Sequence, residues 1–324
     1  QAARNAKDHL YSGVTTVRDC GAKHQTTFVL RKAIQMGIST GPRLSLCGRP
    51  IAIIGGHLSF FGIEATGADE CRAAVRQLIK EGADFIKITA TGGSTLTSYR
   101  TRPSFNVEEL KAICYEAHNF GKHTAAHCTS SEGMSRSLEA GVDTIIHAMH
   151  IEPDGTYKFN EEIADRIVKQ GVYVNPTLGQ AKIRIDMLQE KEERNGLTSE
   201  ERQELEDTKF KEELHFEQAQ RMFNMGISLV CGSDSAWAWY KMGNFQHEIE
   251  SHVEVGMSPM EAIVSATRDS AKSIWMDETV GTLKSGKQAD LLVVNGNPSQ
   301  DIKALRDVED VFLAGNRVDR NKNV

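Results

Sequence analysis

The chain has 324 residues, of which 40% are hydrophobic and 25% charged, and its formal net charge at pH 7 is −6. This length suits one large α/β barrel or two smaller domains, and the composition is typical of a soluble globular enzyme. The acidic balance argues against a nucleic-acid-binding protein, and no run of about 18 apolar residues indicates a membrane span. The six cysteines are scattered without a CxxC pair. Because that usage favours a reducing compartment, we expect a cytoplasmic protein, unless a signal peptide precedes residue 1.

Short β-branched runs alternate with amphipathic helical stretches, which predicts βα units around a parallel sheet. Residues 1–11 have the pattern of a helix, and the strand candidates follow it: Val14–Arg18, Arg43–Cys47, Phe85–Thr89, Thr124–Cys128, Thr144–Ala148, Val172–Pro176 and Ser228–Gly232. These are one strand short of a closed (β/α)8 TIM barrel, so we expect the first strand to be missing from this sequence. An open, doubly wound sheet is the alternative.

The helix boundaries carry local signals. Asn106, followed three residues later by Glu109, predicts a capped helix start. A glycine stands just before each of five strands, where it would end the preceding helix: Gly82, Gly121, Gly141, Gly171 and Gly226.

Two segments interrupt the βα rhythm. Leu178–Met222 is long, polar and helical, and we interpret it as a solvated excursion rather than a functional lid. After Met276 the pattern changes to a turn and two short antiparallel strand candidates, 289–294 and 311–315. We therefore assign residues 1–276 to the barrel and 277–324 to the C-terminal part of a small β-sandwich.

Four side chains that can bind metal lie at the ends of predicted strands: Lys87, His127, His147 and Asp234. A parallel barrel gathers its strand ends around one pocket, and two His with an Asp are usual ligands of a catalytic metal. The pattern predicts a metal-dependent hydrolase in which Asp234 binds metal and accepts a proton from the activated water. The alternative for Asp234 is a buried carboxylate partnered by the neighbouring serines.

Lys87 faces inward if it shares a face with Phe85 and Thr89, according to the period of two. A lone buried lysine is costly. Two explanations stay open: Lys87 pairs with a carboxylate, or it reacts with CO2 and bridges two metals as a carbamate.

Substrate contacts are expected in the loops after the strands. His57 follows a glycine pair that permits close approach of a ligand, although an ordinary exposed loop histidine has the same pattern. Tyr99 and Arg100 could hold a carboxylate, although an ordinary surface arginine is the commoner case. Trp237 follows Asp234 and could wall an apolar pocket, although packing within the loop explains it equally well.

Taken together, these motifs resemble the amidohydrolase superfamily, in particular its imidazolonepropionase-like and prolidase-like branch. The resemblance covers nearly the whole chain and is carried in order by residues 13–19, 55–57, 86–88, 91–93, 126–127, 147–148, 232–234, 281–283 and 289–291.

The resemblance implies a (β/α)8 barrel with a small β-sandwich built from both chain ends. It also implies one or two divalent ions, often zinc, as in a binuclear centre. Lys87 would be the carbamylated bridging ligand, and His127 and His147 would bind the second metal. Asp234 would bind the first metal and act as general base and then acid, while His57 would contact the substrate near the scissile carbonyl.

Two departures from the family pattern matter. The H-x-H of the first strand, which completes the first metal site, is absent from this sequence. Thr129 stands where members of this branch often carry His or Tyr, which favours an amide, urea or carbamate over a standard dipeptide. We expect a homo-oligomeric hydrolase that cleaves a C–N bond in a small-molecule substrate. A deaminase of a cyclic substrate and a non-catalytic barrel scaffold are the alternatives.

Overall fold

The computed structural model describes residues 1–235, 240 and 242–320. The strands are β1 Thr16–Asp19, β2 Arg43–Leu46, β3 Ile51–Ala52, β4 Ile63–Glu64, β5 Ile86–Thr89, β6 Thr124–Cys128, β7 Thr144–His147, β8 Tyr173–Asn175, β9 Leu291–Val294, β10 Val308–Leu313 and β11 Asn316–Arg317. The α-helices are α1 Ala2–Tyr11, α2 Thr26–Gln35, α3 Gly67–Glu81, α4 Val107–Asn119, α5 Ser131–Ala140, α6 Glu161–Gln170, α7 Gly179–Asn195, α8 Ser199–Asn224, α9 Gln246–Glu254, α10 Pro259–Val264 and α11 Ser270–Ser273. None of these helices is long and apolar enough to cross a bilayer.

The strands of the predicted parallel sheet form two parallel sheets. β1 pairs with β2, and a six-stranded sheet has the order β4-β3-β5-β6-β7-β8. The predicted strand at 228–232 contributes only a parallel bridge between Leu229 and Val174 of β8. The α/β architecture is thus confirmed, whereas a closed ring of strands is not seen within the described residues.

Local sequence signals set the helix ends as predicted. Asn106 accepts a hydrogen bond from the backbone N–H of Glu109, whose carboxylate in turn accepts from the N–H of Asn106, a reciprocal capping box. The five predicted helix-ending glycines all have positive φ, a conformation that costs residues with a Cβ.

The C-terminal segment forms an antiparallel sheet in the order β11-β10-β9, as expected for part of a small β-sandwich. An ion pair joins this segment to the parallel strands, because Arg43 of β2 lies 2.6 Å from Asp290, just before β9. Each side chain is largely shielded from solvent, so the pair fixes the sheet against the edge of β2.

Strand register decides which side chains face the interior. Lys87 is level with Ala125, and Thr89 with His127, so these inward residues of β5 and β6 share one face. His147 pairs with Cys128, which points to the opposite face from His127. A left-handed φ of 72° at His147 breaks this alternation and turns its ring toward His127.

Candidate active site

A cavity of about 1560 Å³ runs from the carboxyl ends of the parallel strands past α1 and β1 to the C-terminal sheet. The residues predicted from the sequence that line it are Lys87, His127, His147, Asp234, His57, Arg100 and Thr129. The structure thus brings all four predicted metal ligands to one cavity. Tyr99 does not line it: its ring is 68% exposed and lies beneath the guanidinium of Arg102. Trp237 lies outside the described residues.

Three imidazole rings form a continuous row in this cavity. The ring centroids of His57 and His127 are 4.4 Å apart, and those of His127 and His147 are 4.6 Å apart. Burial, followed by the charges of Lys87 and Arg100, lowers the pKa of His57 to about 4. Burial also holds the pKa of His127 and of His147 well below the usual range, assisted by the neighbouring cationic groups. All three rings are therefore neutral near pH 7, as metal binding requires.

His127 has only one ring nitrogen free. Its Nε2 lies 3.0 Å from the carbonyl oxygen of Gly92, which can only accept a hydrogen bond. Nε2 therefore carries the proton, and the lone pair is on Nδ1. Nδ1 has no hydrogen-bond partner in the described part of the chain, so it is available to a ligand.

His147 is held in the opposite tautomer by Thr177. The Thr177 hydroxyl donates its hydrogen to the carbonyl oxygen of Pro176 at 2.6 Å. Its oxygen, 2.7 Å from His147 Nδ1, must then accept a hydrogen bond from that nitrogen. The free lone pair of His147 is therefore on Nε2, which makes no hydrogen bond within the described chain.

Lys87 is 4% exposed and lies beside these rings. Among the described residues, its ammonium has no carboxylate within ion-pairing distance and no hydrogen-bond acceptor. The first explanation considered above, pairing with a carboxylate, therefore finds no partner here. A buried ammonium group without a counterion is costly, so the second explanation, conversion of Lys87 to an anionic carbamate, stays open.

Asp234 also lines the cavity, in the segment that follows the bridge residue Leu229. Its φ of 48° is left-handed, and Gln180 of α7 donates to both its carbonyl oxygen at 2.6 Å and its Oδ2 at 2.8 Å. Its side chain is exposed rather than buried, so the alternative of a buried carboxylate is wrong. Among the described residues, no three His, Cys, Asp or Glu side chains are gathered closely enough to hold a metal by themselves.

His57 is 4% exposed, so the alternative of an ordinary exposed loop histidine is wrong. Its Nδ1 lies 3.1 Å from the hydroxyl of Thr95, which already accepts from the backbone N–H of Leu58. That hydroxyl can donate its own hydrogen to Nδ1, and in that tautomer Nε2–H of His57 is free to donate to a ligand. Its ring also packs against Gly93, where an added Cβ would lie 2.5 Å from the ring atoms.

Thr129 holds the wall of the cavity. Its hydroxyl lies 2.6 Å from the carbonyl oxygen of Arg100 and 3.1 Å from that of Gly92. The same Gly92 carbonyl accepts from His127. Thr129 thus ties the loop after β5 to the end of β6. The guanidinium of Arg100 lies at the cavity, where its only hydrogen-bond contact with the described residues is a long one to Met149.

The helices α7 and α8 form one wall of the cavity, which the sequence did not indicate. His215 of α8 donates from Nε2 to the carbonyl oxygen of His147 at 3.2 Å. One turn later, Gln218 exchanges hydrogen bonds with the backbone N–H and carbonyl of His150 at 3.0 and 3.2 Å. The expectation of a merely solvated excursion is therefore wrong for the inner face, which clamps the loop that follows His147.

Asp19 is a further cavity residue that sequence reasoning did not select. It ends β1, and its Oδ1 is buried with no hydrogen-bond partner among the residues that the structure describes. Burial raises the pKa of this carboxyl to about 6, opposed by a hydrogen bond from the backbone of Gly21. The signal available in the sequence was its position at a strand end, the same as for Lys87.

The amidohydrolase family model matches residues 1–318 of this chain. An ochratoxinase from Aspergillus niger is 26% identical over 94% of this chain, which spans 65% of the length of that relative, slightly less than two thirds. A Xaa-Pro dipeptidase solved with methionine in its active site superposes with a TM-score of 0.83 at 32% identity, covering 98% of this chain and 78% of that structure. The crystal structure of the A. niger ochratoxinase gives a TM-score of 0.80 at 25% identity, over 97% and 74% of the two chains.

Proposed function

Because this chain belongs to the amidohydrolase family, we propose that it is a metal-dependent hydrolase of C–N bonds. The observation that carries the proposal is the pair of fixed tautomers. His127 and His147 each use one ring nitrogen to hold a protein oxygen and keep the other free, the usual arrangement of histidines that bind metal.

The residues present fit a divalent cation with a carbamylated lysine. Nδ1 of His127 and Nε2 of His147 offer two lone pairs on neutral rings. Lys87 is buried beside them without a counterion among the described residues, and addition of CO2 to its free amine, with loss of a proton, would give an anionic ligand. Asp234 would supply a further oxygen ligand. We propose zinc as the cation held there, since imidazole nitrogens and carboxylate oxygens suit it.

A bound cation supplies Lewis-acid activation of water and of the substrate carbonyl. The chain's own residues would do the rest. Asp234 accepts the proton of the attacking water and returns it to the leaving amine, while Gln180 holds its Oδ2 in place. His57, neutral because its pKa is about 4, donates from Nε2 to the carbonyl oxygen of the substrate.

The substrate class we propose is an amide, urea or carbamate of small-molecule size. Proteins similar to this chain include an ochratoxinase and a Xaa-Pro dipeptidase, and a cavity of about 1560 Å³ accommodates either kind of amide. The positively charged guanidinium of Arg100 lines the cavity and would bind a carboxylate of the substrate.

The test is hydrolysis by the metal-loaded full-length protein of Met-Pro, ochratoxin, a phenylurea and a phenylcarbamate, together with metal analysis. We expect near-stoichiometric divalent metal, turnover of at least one compound, and loss of turnover in Asp234→Ala with an unchanged unfolding temperature. Ammonia release from a cyclic substrate would favour a deaminase instead. Protein that binds no metal and cleaves nothing would favour the scaffold.

A further inference from the structure

Asn175 is an anomaly in the wall of the cavity. It ends β8 and is 7% exposed, yet neither atom of its carboxamide makes a hydrogen bond in the described part of the chain. Its Oδ1 is fully buried without a partner. Burying an amide in this way costs free energy, and such a group in a folded protein calls for an explanation.

The position of Asn175 points to the reacting centre. Its register partner is Ile146, the inward residue just before His147, so Asn175 faces the same interior. On the other side, β8 bridges to Leu229, five residues before Asp234. Asn175 therefore lies between the strand that carries His147 and the segment that carries Asp234, and it lines the cavity itself.

Gly232 provides a cradle for the carboxamide. A Cβ at position 232 would lie 2.2 Å from Nδ2 of Asn175 and 2.9 Å from its Cγ. The absence of a side chain at this glycine is what lets the carboxamide approach its backbone. Unlike Oδ1, Nδ2 is not among the fully buried atoms that lack a partner, and it makes no hydrogen bond with the described residues, so it is the atom that a ligand can reach.

We propose that Asn175 is a substrate-binding residue whose Nδ2–H donates a hydrogen bond to the carbonyl oxygen of the acyl part of the substrate. The proposal rests on the proposed function, because it requires a substrate with a neutral carbonyl group beside the cleaved C–N bond. A neutral donor at this place favours amides, ureas and carbamates over substrates that present only an amine.

The experiment compares Asn175→Ala, Asn175→Asp, Gly232→Ala and the double variant Asn175→Ala/Gly232→Ala, using whichever of Met-Pro, ochratoxin, phenylurea and phenylcarbamate the wild type cleaves. We expect Asn175→Ala to lower kcat/KM about 10- to 100-fold. Asn175→Asp should lower it further, because a carboxylate repels the carbonyl oxygen. Metal content should stay at the wild-type level in all variants.

The glycine supplies the matched control. Gly232→Ala should push the amide aside and reproduce the loss, but it should cost nothing more in the Asn175→Ala background, where no amide is left to displace. The unfolding temperature of Asn175→Ala should not fall, since Asn175 makes no hydrogen bond with the described residues that the substitution could remove.

Three results would overturn the inference. Unchanged kcat/KM in Asn175→Ala would refute the role of Asn175 in substrate binding but would leave the proposed hydrolase function standing. Additive losses in the double variant would show that Gly232 acts on something else. A wild type that cleaves none of the four compounds would remove the proposed function and this inference together.

Discussion

The hydroxyl of Thr177 leaves His147 only one tautomer. Thr177 gives its hydrogen to the carbonyl oxygen of Pro176 and accepts the Nδ1 hydrogen of His147 at 2.7 Å. Both residues have left-handed φ, 57° for Thr177 and 72° for His147. Two strained backbone positions are thus joined by one hydrogen bond, and the strain turns the free Nε2 of His147 toward the interior.

Thr177→Val removes the hydroxyl but keeps the β-branched shape at the strained position. Because Nδ1–H then loses its acceptor and the ring is free to rotate, we expect affinity for zinc to fall about 10- to 100-fold. Competition against a chromophoric chelator measures this directly. Thr177→Ser retains the hydroxyl and should bind zinc within a few-fold of the wild type; equal weakening in both variants would rule out the tautomer explanation.

Lys87 should make metal loading depend on CO2. We expect metal-free protein reconstituted with zinc in CO2-free buffer to recover little activity, and added bicarbonate to restore it. The reason is that the carbamate of Lys87 is an anionic ligand, whereas its unmodified amine is not. Lys87→Met should lose this dependence along with the metal. Intact-protein mass spectrometry at alkaline pH would detect the added CO2. Full reconstitution without CO2 would show that Lys87 acts as an unmodified amine.

Much of the fold follows from local sequence patterns, but the site does so only in part. The period of two places Lys87 inward because β5 is regular, and the observed register agrees with this. The same rule would turn His147 outward, and only its left-handed φ brings it in. No short-range pattern encodes that φ for a histidine.

The hydrogen bonds that hold His147 from distant parts of the chain could not be predicted from the sequence for another reason. His215 and His147 are 68 residues apart, and Thr177 is 30 residues from His147. Each contact depends on how a helix or loop packs against a distant strand end. The charged outer face of α8 dominates its composition and conceals the few inward residues, such as Gln218, that hold the loop after β7.

His123 should make the protein less stable in acid. Burial, then the charges of Arg18, Lys122 and His118, lowers the pKa of His123 to about 3, against about 6.5 in the unfolded chain. Between these values the unfolded state binds more protons, so stability falls as pH drops from about 6.5 toward 3. His123→Phe keeps a ring against Phe85, whose centroid is 5.0 Å away, and should flatten this part of the curve. Urea unfolding at several pH values measures the slope, and a slope equal to that of the wild type would contradict the assignment.

Glu248 should stabilise the protein through two buried contacts. The carboxylate is fully buried, accepts from the backbone N–H of Gly179 at 2.6 Å and lies 3.6 Å from Nε2 of the buried His252. Burial opposes a charge on His252, but Cys231 and Glu248 together outweigh it and raise the pKa of His252 to about 10. Glu248→Ala leaves this imidazolium unpaired and should cost about 3–5 kcal/mol in the free energy of unfolding.

Glu248→Gln separates the two contacts, because its amide oxygen can still accept from Gly179 while the charge is lost. The folded pKa of His252 is raised, so its stabilisation is full below about pH 6.5 and is lost as pH rises through about 10. We therefore expect the wild type to lose stability across this alkaline range and Glu248→Gln to lose less. Urea unfolding between pH 6.5 and 10 tests this, and parallel curves for the two proteins would show that Glu248 does not hold the charge on His252.

Gly179 opens α7 two residues after Thr177, so Glu248→Ala should also weaken zinc binding, whereas Glu248→Gln should preserve it.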